Sequence, residues 1–370
     1  MTASTTLRRI ADLPAPRGLP LLGNALQLDP PRLHLQLEEW SQQLGKVFRI
    51  TAAHREIMVI NDLDTVHSIL RERPDSYSRM RSYQPVAIEL GMNGVFTSEG
   101  EAWRRQRRVW MASLNANQLR GFHDNLARIT HRLLRRWQNA ADRGEVLDVA
   151  ADLMRYTVDV TMQFALGHAA NTLEQGEDVI QRHLNQIFPA LARRIAAPFP
   201  YWRWFKLPVD RALDRALAAL RIEVGALVVQ ARERLRNNPS LRDAPSCFIE
   251  ALLIAREKDP DSLSEQDVFA NAITVLLGGE DTTANTLAWM IWLLHKHPQV
   301  LARARDEVRT AAPNGLADFT PELMDSLDYL GACAHETMRL KPVGPFMPVE
   351  ALRDMVIGDV GGDDREELNY

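Results

Sequence analysis

The residues best able to do chemistry stand together in one short segment, Gly278 to Thr283, with the sequence GGEDTT. Because glycine has no side chain, two adjacent glycines let a flat ligand approach the backbone closely. Asp281 and Thr282 add an acid and an alcohol, two groups that can hold and pass a proton. In a helix, the Thr282 hydroxyl can also donate back to the carbonyl of Gly278 and open that turn. The segment predicts a notch for proton transfer beside a flat ligand or, alternatively, a kink with solvated polar residues.

A long helix must carry this notch. Ser264 stands at an N-cap position with Asp267 three residues later, and no proline follows until Pro298. The pattern predicts one uninterrupted helix from Ser264 to His297, roughly 50 Å long. Apolar residues on both sides of GGEDTT indicate a buried setting. The polar interruption argues against a membrane span, which needs about 20 mostly apolar residues.

Two other helical segments carry spaced pairs of functional groups. Glu336 and Arg339 are three residues apart, so they face the same way and can pair. Their apolar flanks predict a buried, structural ion pair, and the alternative is an ordinary surface pair. Trp103 and Arg107 are four residues apart and offer an indole N–H and a guanidinium to an anion. The alternative for this second pair is a solvated basic face.

Composition excludes several classes of protein. Of the 370 residues, 46% are hydrophobic and 25% charged, as in ordinary soluble proteins, and the net charge of -4 argues against a general nucleic-acid binder. The two cysteines, Cys247 and Cys333, provide neither a disulfide framework nor a metal cluster. The N-terminal sequence has no apolar stretch long enough for a signal peptide or a transmembrane anchor, so we expect a cytoplasmic, bacterial protein.

The remaining pattern predicts a mainly α fold with a small β region. Two short β-branched runs at 47–51 and 56–61 predict a hairpin, after which Asp62 caps a short helix. Residues 74–100 hold three glycines and predict a long loop. The period of 3.6 residues then predicts at least five helices up to residue 256.

One segment among these helices, 198–208, is rich in aromatic residues. It lines an entrance for an apolar ligand, touches a membrane surface, or packs under a loop. No repeat or low-complexity linker divides the chain, so we expect a single domain over residues 1–360. The last ten residues, 361–370, form a polar, acidic tail.

The three constellations, in this order and at these separations, resemble the cytochrome P-450 family of haem-thiolate monooxygenases. The family's central helix carries a small residue, a glycine, any residue, an acid and a threonine, which matches Gly278 to Thr282. Its Glu-x-x-Arg motif matches Glu336 and Arg339, and its Trp-x-x-x-Arg motif matches Trp103 and Arg107. The resemblance implies the P-450 fold, with its long central helix, over nearly the whole chain.

The resemblance also implies haem b as cofactor and a role for each matched residue. Gly278 and Gly279 would leave room for oxygen beside the iron, and Asp281 and Thr282 would relay protons to that oxygen. The propionate anchors would be Trp103 and Arg107. The core near the cysteine loop would be braced by Glu336 and Arg339.

The family's activity implies two partners. One is a small apolar substrate that receives an oxygen atom. The other is an electron donor, which is a ferredoxin, a flavodoxin or a reductase. Arg104, Arg105 and Arg108 would face this acidic donor.

The sequence departs from the family at the axial cysteine. That residue belongs to a Phe-x-x-Gly-x-Arg-x-Cys-x-Gly loop downstream of Glu-x-x-Arg, whereas Cys247 and Cys333 both precede Glu336. We therefore assign no metal ligand, and we expect a chain that lacks the C-terminal part of the fold through truncation or a frame change near Gly361. The alternatives are a non-catalytic protein with an apolar pocket and an unrelated helical partner-binding protein.

Overall fold

The computed structural model describes residues 8–52, 55–79, 83–197, 199–358 and 360–361. The chain divides into two compact units, one of Met1–Arg81 with Gly344–Tyr370 and one of Ser82–Val343. The single domain expected over residues 1–360 stays a prediction. Apart from Gly361, the expected polar tail lies outside the described residues.

The first unit holds the strands and two helices. The elements are β1 (Arg8–Arg9), α1 (Leu33–Leu44), β2 (Val47–Ala52), β3 (Arg55–Ile60), α2 (Leu63–Arg71), β4 (Tyr77–Arg79), β5 (Val349–Ala351), β6 (Val356–Ile357) and β7 (Val360–Gly361). The predicted hairpin is confirmed, because β2 pairs antiparallel with β3 along its whole length. Phe48 and Ile50 alternate into the interior. The predicted cap is confirmed as well, since the Asp62 carboxylate accepts from the Thr65 N–H at 3.1 Å.

The other strand pairs of this unit are short. Strand β4 pairs antiparallel with β5, and β7 pairs parallel with β1 and antiparallel with β6. Strand β4 lies inside the segment 74–100 that the sequence predicts to be a loop, and a helix at Tyr83–Glu89 follows it. The loop prediction is therefore wrong in part, because the glycines of this segment all follow β4 and the helix.

The second unit is helical. Its helices are α3 (Tyr83–Glu89), α4 (Gly100–Ser113), α5 (Ala116–Asp142), α6 (Val149–Leu166), α7 (Thr172–Gln175), α8 (Val179–Leu184), α9 (Ile187–Ala196), α10 (Pro208–Asn237), α11 (Phe248–Lys258), α12 (Glu265–Gly279), α13 (Asp281–Lys296), α14 (Pro298–Ala311), α15 (Pro321–Asp325) and α16 (Asp328–Leu340). The predicted run of at least five helices before residue 256 is confirmed. Local signals explain their ends: Pro208 occupies the first turn of α10, and Gly167 ends α6 with a left-handed φ of 66°.

The core of this unit forms around α6, α10, α11 and α12. Among the least exposed apolar side chains there are Val158, Met162, Leu220, Val224, Ile249, Leu252, Ile273 and Leu276, each at most 1% exposed. A smaller cluster joins α5 and α6 to the start of α13 through Ile129, Leu153 and Ala284. Helix α12 is therefore held on several sides by other helices.

The aromatic segment before α10 is divided between interior and surface. Trp202 is buried, and its Nε1–H donates to Glu89 at 2.7 Å. Phe199, Trp204 and Phe205 are at least half exposed. The predicted packing thus describes Trp202 and, in part, Tyr201, which is half-buried against the core. Across the described residues, none of the helices combines the length and apolarity needed to cross a membrane.

Candidate functional site

The central helix is two helices that meet at Glu280. Helix α12 begins with the predicted cap, in which Ser264 Oγ accepts from the Asp267 N–H at 3.1 Å. It ends at Gly279, where Glu280 takes a φ of −84° and a ψ of −81°, outside the values of a regular helix. The prediction of one uninterrupted helix is therefore wrong. The physical reason is that two adjacent glycines weaken the helix at this joint by about 1 kcal/mol each.

Thr282 makes the hydrogen bond that the sequence predicts. Its hydroxyl donates to the carbonyl of Gly278 at 2.8 Å, four residues earlier. This bond places the hydroxyl on the same face as Gly278. The predicted notch in the helix is thus formed by α12, the joint and the first turn of α13.

The two glycines have different surroundings. A Cβ added to Gly279 would lie 2.5 Å from Thr161 Oγ1 on α6, so the absence of a side chain lets α6 approach. A Cβ added to Gly278 would meet no atom within 4 Å. Gly278 borders open space and can accept a ligand, whereas Gly279 is explained by helix packing. The ligand role expected of Gly279 stays a prediction.

The acid and the alcohol also face the open side. Asp281 and Thr282 are both exposed, and within the described residues the Asp281 carboxylate has no hydrogen-bond or ion-pair partner. The buried setting expected for these two residues is therefore wrong. Their side chains are available to a ligand at Gly278 and are in contact with water.

Glu280, which the family motif treats as any residue, is the buried acid of the segment. It is 5% exposed, and its Oε1 atom has no hydrogen-bond partner. Burial, together with the negative charges of Asp281 and Asp178, raises the pKa of this carboxyl to about 8. Helical spacing could have revealed the burial, because Glu280 lies four residues after Leu276 and four before Ala284, both buried.

A buried polar network, which the sequence analysis missed, fixes α4 to α12. Asn271 and Gln106 are fully buried. Asn271 Oδ1 accepts from the Val95 N–H at 2.9 Å and from Trp110 Nε1 at 2.6 Å, and its Nδ2 donates to Gln106 Oε1 at 2.9 Å. Gln106 Nε2 donates in turn to Asp267 Oδ1 at 3.3 Å. Every polar atom of the Asn271 side chain is satisfied, so the network positions α4 beside the central helix.

Trp103 and Arg107 lie on this same helix, α4. Trp103 is half-buried and Arg107 is exposed. In the described part of the chain no hydrogen bond or ion pair holds the Arg107 guanidinium, and none joins either residue to the Gly278–Thr282 segment. The structure therefore leaves Arg107 available to an anion but does not bring the two motifs into direct contact.

Glu336 and Arg339 pair on α16 as the spacing predicts. The guanidinium donates two hydrogen bonds of 2.7 Å to the carboxylate. The predicted burial is wrong, because the side chains of Arg339 and Glu336 are 67% and 54% exposed. The hydrogen bonds from Arg339 lower the pKa of Glu336. The helix is tied to its neighbours elsewhere, since Glu307 of α14 accepts from the Tyr329 and Leu330 N–H groups.

Neither cysteine is suited to bind iron as a thiolate. Cys247 is 3% exposed, and burial raises the pKa of its thiol to about 11. The pKa of Cys333 on α16 is also raised by burial. Within the described residues no group of three His, Cys, Asp or Glu side chains could hold a metal ion. Haem is a flat ring with acidic propionate groups at one edge. The open space at Gly278 is compatible with one face of such a ring, and the exposed Arg107 guanidinium is compatible with a propionate. Neither Cys247 nor Cys333 is suited to be the thiolate ligand.

Comparisons with known proteins give one consistent family. The family model described as cytochrome P450 matches residues 13–361. A bifunctional cytochrome P450/NADPH–P450 reductase of Gibberella moniliformis is 26% identical over 96% of this chain, and the self-sufficient cytochrome P450 monooxygenase CYP505U2 of Exserohilum turcicum is 26% identical over 95%. Cytochrome P450 2J5 of Mus musculus is 23% identical over 93%.

The matched lengths differ among these relatives. The chain spans 32% of the length of each of the two fungal proteins and 68% of the mouse protein. All three come from eukaryotes and give no support to the expected bacterial source. Since the family model covers nearly the whole sequence, the chain belongs to the cytochrome P450 family, whose cofactor is haem.

Proposed function

We propose that this chain provides the oxygen-activating side of a haem-dependent monooxygenase that inserts one oxygen atom from dioxygen into a small apolar molecule. The supporting observation is the open space at Gly278, with Asp281 and Thr282 exposed one turn later on the same face. A flat ring can lie against a helix only where no Cβ intervenes.

The residues that would hold haem are Gly278 beside the ring and Trp103 with Arg107 at a propionate. Haem, when bound, supplies the iron at which dioxygen is activated. The Thr282 hydroxyl, now bonded to the Gly278 carbonyl, can turn to donate to a ligand in the notch. The Asp281 carboxylate is exposed, so it can take protons from water and pass them to its neighbour.

For the substrate and the electron donor, we propose only their chemical class. We expect an apolar substrate and a ferredoxin, a flavodoxin or a reductase as donor. The fungal relatives that are named as reductase fusions favour a reductase. Arg108 on α4 is exposed and could bind an acidic electron donor. We expect the chain and this donor to meet in the cytoplasm.

Haem titration tests the proposal. Haem is added to the purified full chain, and binding is followed by its Soret absorption in the wild type and in Gly278→Leu. We expect the variant to lose at least about tenfold in affinity, because the leucine fills the space at the notch. Gly121→Leu is the matched control, since Gly121 is also an exposed helical glycine with no atom within 4 Å of an added Cβ. Equal affinities in the two variants would contradict the proposal.

A second candidate function is favoured by the cysteines. Because Cys247 and Cys333 are both disfavoured as thiolates, these 370 residues alone would bind an apolar ligand without catalysing a reaction. The reduced, carbonyl-bound spectrum separates the two functions. We expect the 370-residue chain to show no thiolate-type Soret band, and such a band would exclude the second candidate.

A further inference from the structure

Glu280 is a buried acid that the proposed chemistry of the notch leaves unused. Its side chain points away from bulk water at the joint between α12 and α13, and Oε1 is without a hydrogen-bond partner. A buried carboxylate in such a place loses the solvation of its charge, so the neutral acid is the favoured form. Gly279, the preceding residue, packs directly on the hydroxyl of Thr161. The joint thus contains a buried carboxyl group with an unpartnered oxygen.

Asp178, whose charge acts on Glu280, is paired with a second titratable group, His168. Asp178 caps α8, where its Oδ1 accepts from the Ile180 N–H at 2.7 Å, and its Oδ2 lies 3.4 Å from His168 Nε2. Burial works against ionisation of Asp178, but the hydrogen bonds from His168 and Ile180 outweigh it and lower its pKa. The bond to Asp178 raises the pKa of His168, and the charge of Glu223 on α10 adds to this effect.

These groups form a gradient of exposure. The His168 side chain is 33% exposed, that of Asp178 is 13% exposed, and Glu280 is 5% exposed. The charged groups that act on Glu280 are Asp178, the cap of α8, and Asp281, the first residue of α13, and both are negative. Two negative charges oppose a third, so they hold the proton on Glu280.

We propose that Glu280 is a proton-holding residue of the notch, whose side chain is a neutral carboxylic acid at neutral pH, and that the Asp178–His168 pair sets the pH at which the proton is released. When the proton leaves, Glu280 becomes a carboxylate and the proton passes to water on the exposed side of the joint. Supply of this proton to the reaction rests on the proposed function. The protonation of Glu280 itself does not depend on haem.

Infrared titration of the full chain without haem tests this. Wild-type protein and Glu280→Gln are compared from about pH 5 to about pH 10 in the carbonyl absorption of protonated carboxylic acids. We expect one such band in the wild type that disappears near pH 8 and is absent from Glu280→Gln. Asp178→Asn removes one of the opposing charges and should move the loss of the band to lower pH. An unchanged titration in Asp178→Asn would overturn the role of the pair.

Unfolding experiments give an independent readout. Because the folded chain keeps a proton that the unfolded chain releases near pH 4.5, the unfolding constant of the wild type relative to Glu280→Gln should rise about tenfold per pH unit from there to about pH 8, and then level off. Glu233→Gln changes an exposed glutamate of α10 and should leave both the band and the pH slope unchanged.

The outcomes separate this inference from the proposed function. A wild type with no protonated carboxyl at neutral pH would overturn the inference, whatever the haem titration gives. A chain that fails to bind haem but shows the band would overturn only the proposed function. If Glu280→Gln does not fold, the shift expected in Asp178→Asn still decides the question.

Discussion

The two halves of the central helix, α12 and α13, have similar apolar sequences but opposite surroundings. Eight residues of α12 are buried, whereas in α13 only Ala284 is, among the residues described. Asn271, a fully buried polar residue of α12, has a partner for every polar atom of its side chain, while Asp281 at the start of α13 has an exposed carboxylate. Buried polar groups in the first half stabilise the fold, whereas Asp281 and Thr282 in the second half are exposed and available to a ligand.

The largest expected effect tests the buried half. Asn271→Leu removes the hydrogen-bond partner of three polar groups, namely Gln106 Oε1, Trp110 Nε1 and the Val95 N–H. We expect a loss of about 3–5 kcal/mol in the free energy of unfolding, measured with urea. Asn285→Leu makes the same change on the exposed surface of α13, where the side chain donates only to the Asp281 carbonyl. Equal losses of unfolding free energy in the two variants would contradict the difference in burial between α12 and α13.

A smaller loss is expected at the joint. Gly279→Ala places a Cβ 2.5 Å from Thr161 Oγ1 and 2.7 Å from its Cγ2, so α6 and the joint must move apart. Overpacking of this kind costs about 1–3 kcal/mol. The double variant Gly279→Ala with Thr161→Ala removes both clashing atoms and should recover part of the lost stability. Thermal unfolding of the wild type, the two single variants and the double variant measures this recovery.

The neighbouring glycine should respond with the opposite sign. Gly278→Ala meets no atom within 4 Å, so the substitution gains helix propensity without a clash and should stabilise the haem-free chain by up to about 1 kcal/mol. A destabilised Gly278→Ala would show that the space beside Gly278 is not open in solution. Urea unfolding of the haem-free proteins gives the answer.

The sequence was sufficient for features that depend on local spacing. The Ser264 cap, the β2–β3 hairpin, the bond from Thr282 to the Gly278 carbonyl and the Glu336–Arg339 pair are all set by residues close together in the chain. Family membership was also predictable, because ordered motifs over a long chain are specific. The break at Glu280 was not predicted, because the low helix propensity of two glycines shows that the helix is weak there but does not show at which residue the backbone leaves helical geometry.

Features that depend on distant segments were not predictable from one sequence. Gln106 and Asn271 are 165 residues apart, and neither belongs to a motif that indicates a partner. The difference between Gly278 and Gly279 arises from Thr161 on another helix. Burial of Glu336 and Arg339 was inferred from their apolar neighbours, but Met338 and Leu340 are themselves more than 40% exposed. The spacing of apolar residues predicts which side chains share a helix face, but it does not predict which face other elements cover.

The smallest expected effect concerns α16, which packs against the open half of the central helix. Glu336→Gln should leave the urea midpoint unchanged within error, because both partners of the ion pair are solvated and water replaces the lost hydrogen bonds. Asp152→Asn is the buried comparison, since the Asp152 carboxylate is 2% exposed and accepts from Arg136, Trp137 and Arg155. Asp152→Asn should lower the urea midpoint, because Arg136 and Arg155 lose the charge of a buried carboxylate. A large decrease in the urea midpoint of Glu336→Gln would contradict this prediction. It would mean that the ion pair stabilises the fold and that Glu336 and Arg339 are buried in solution.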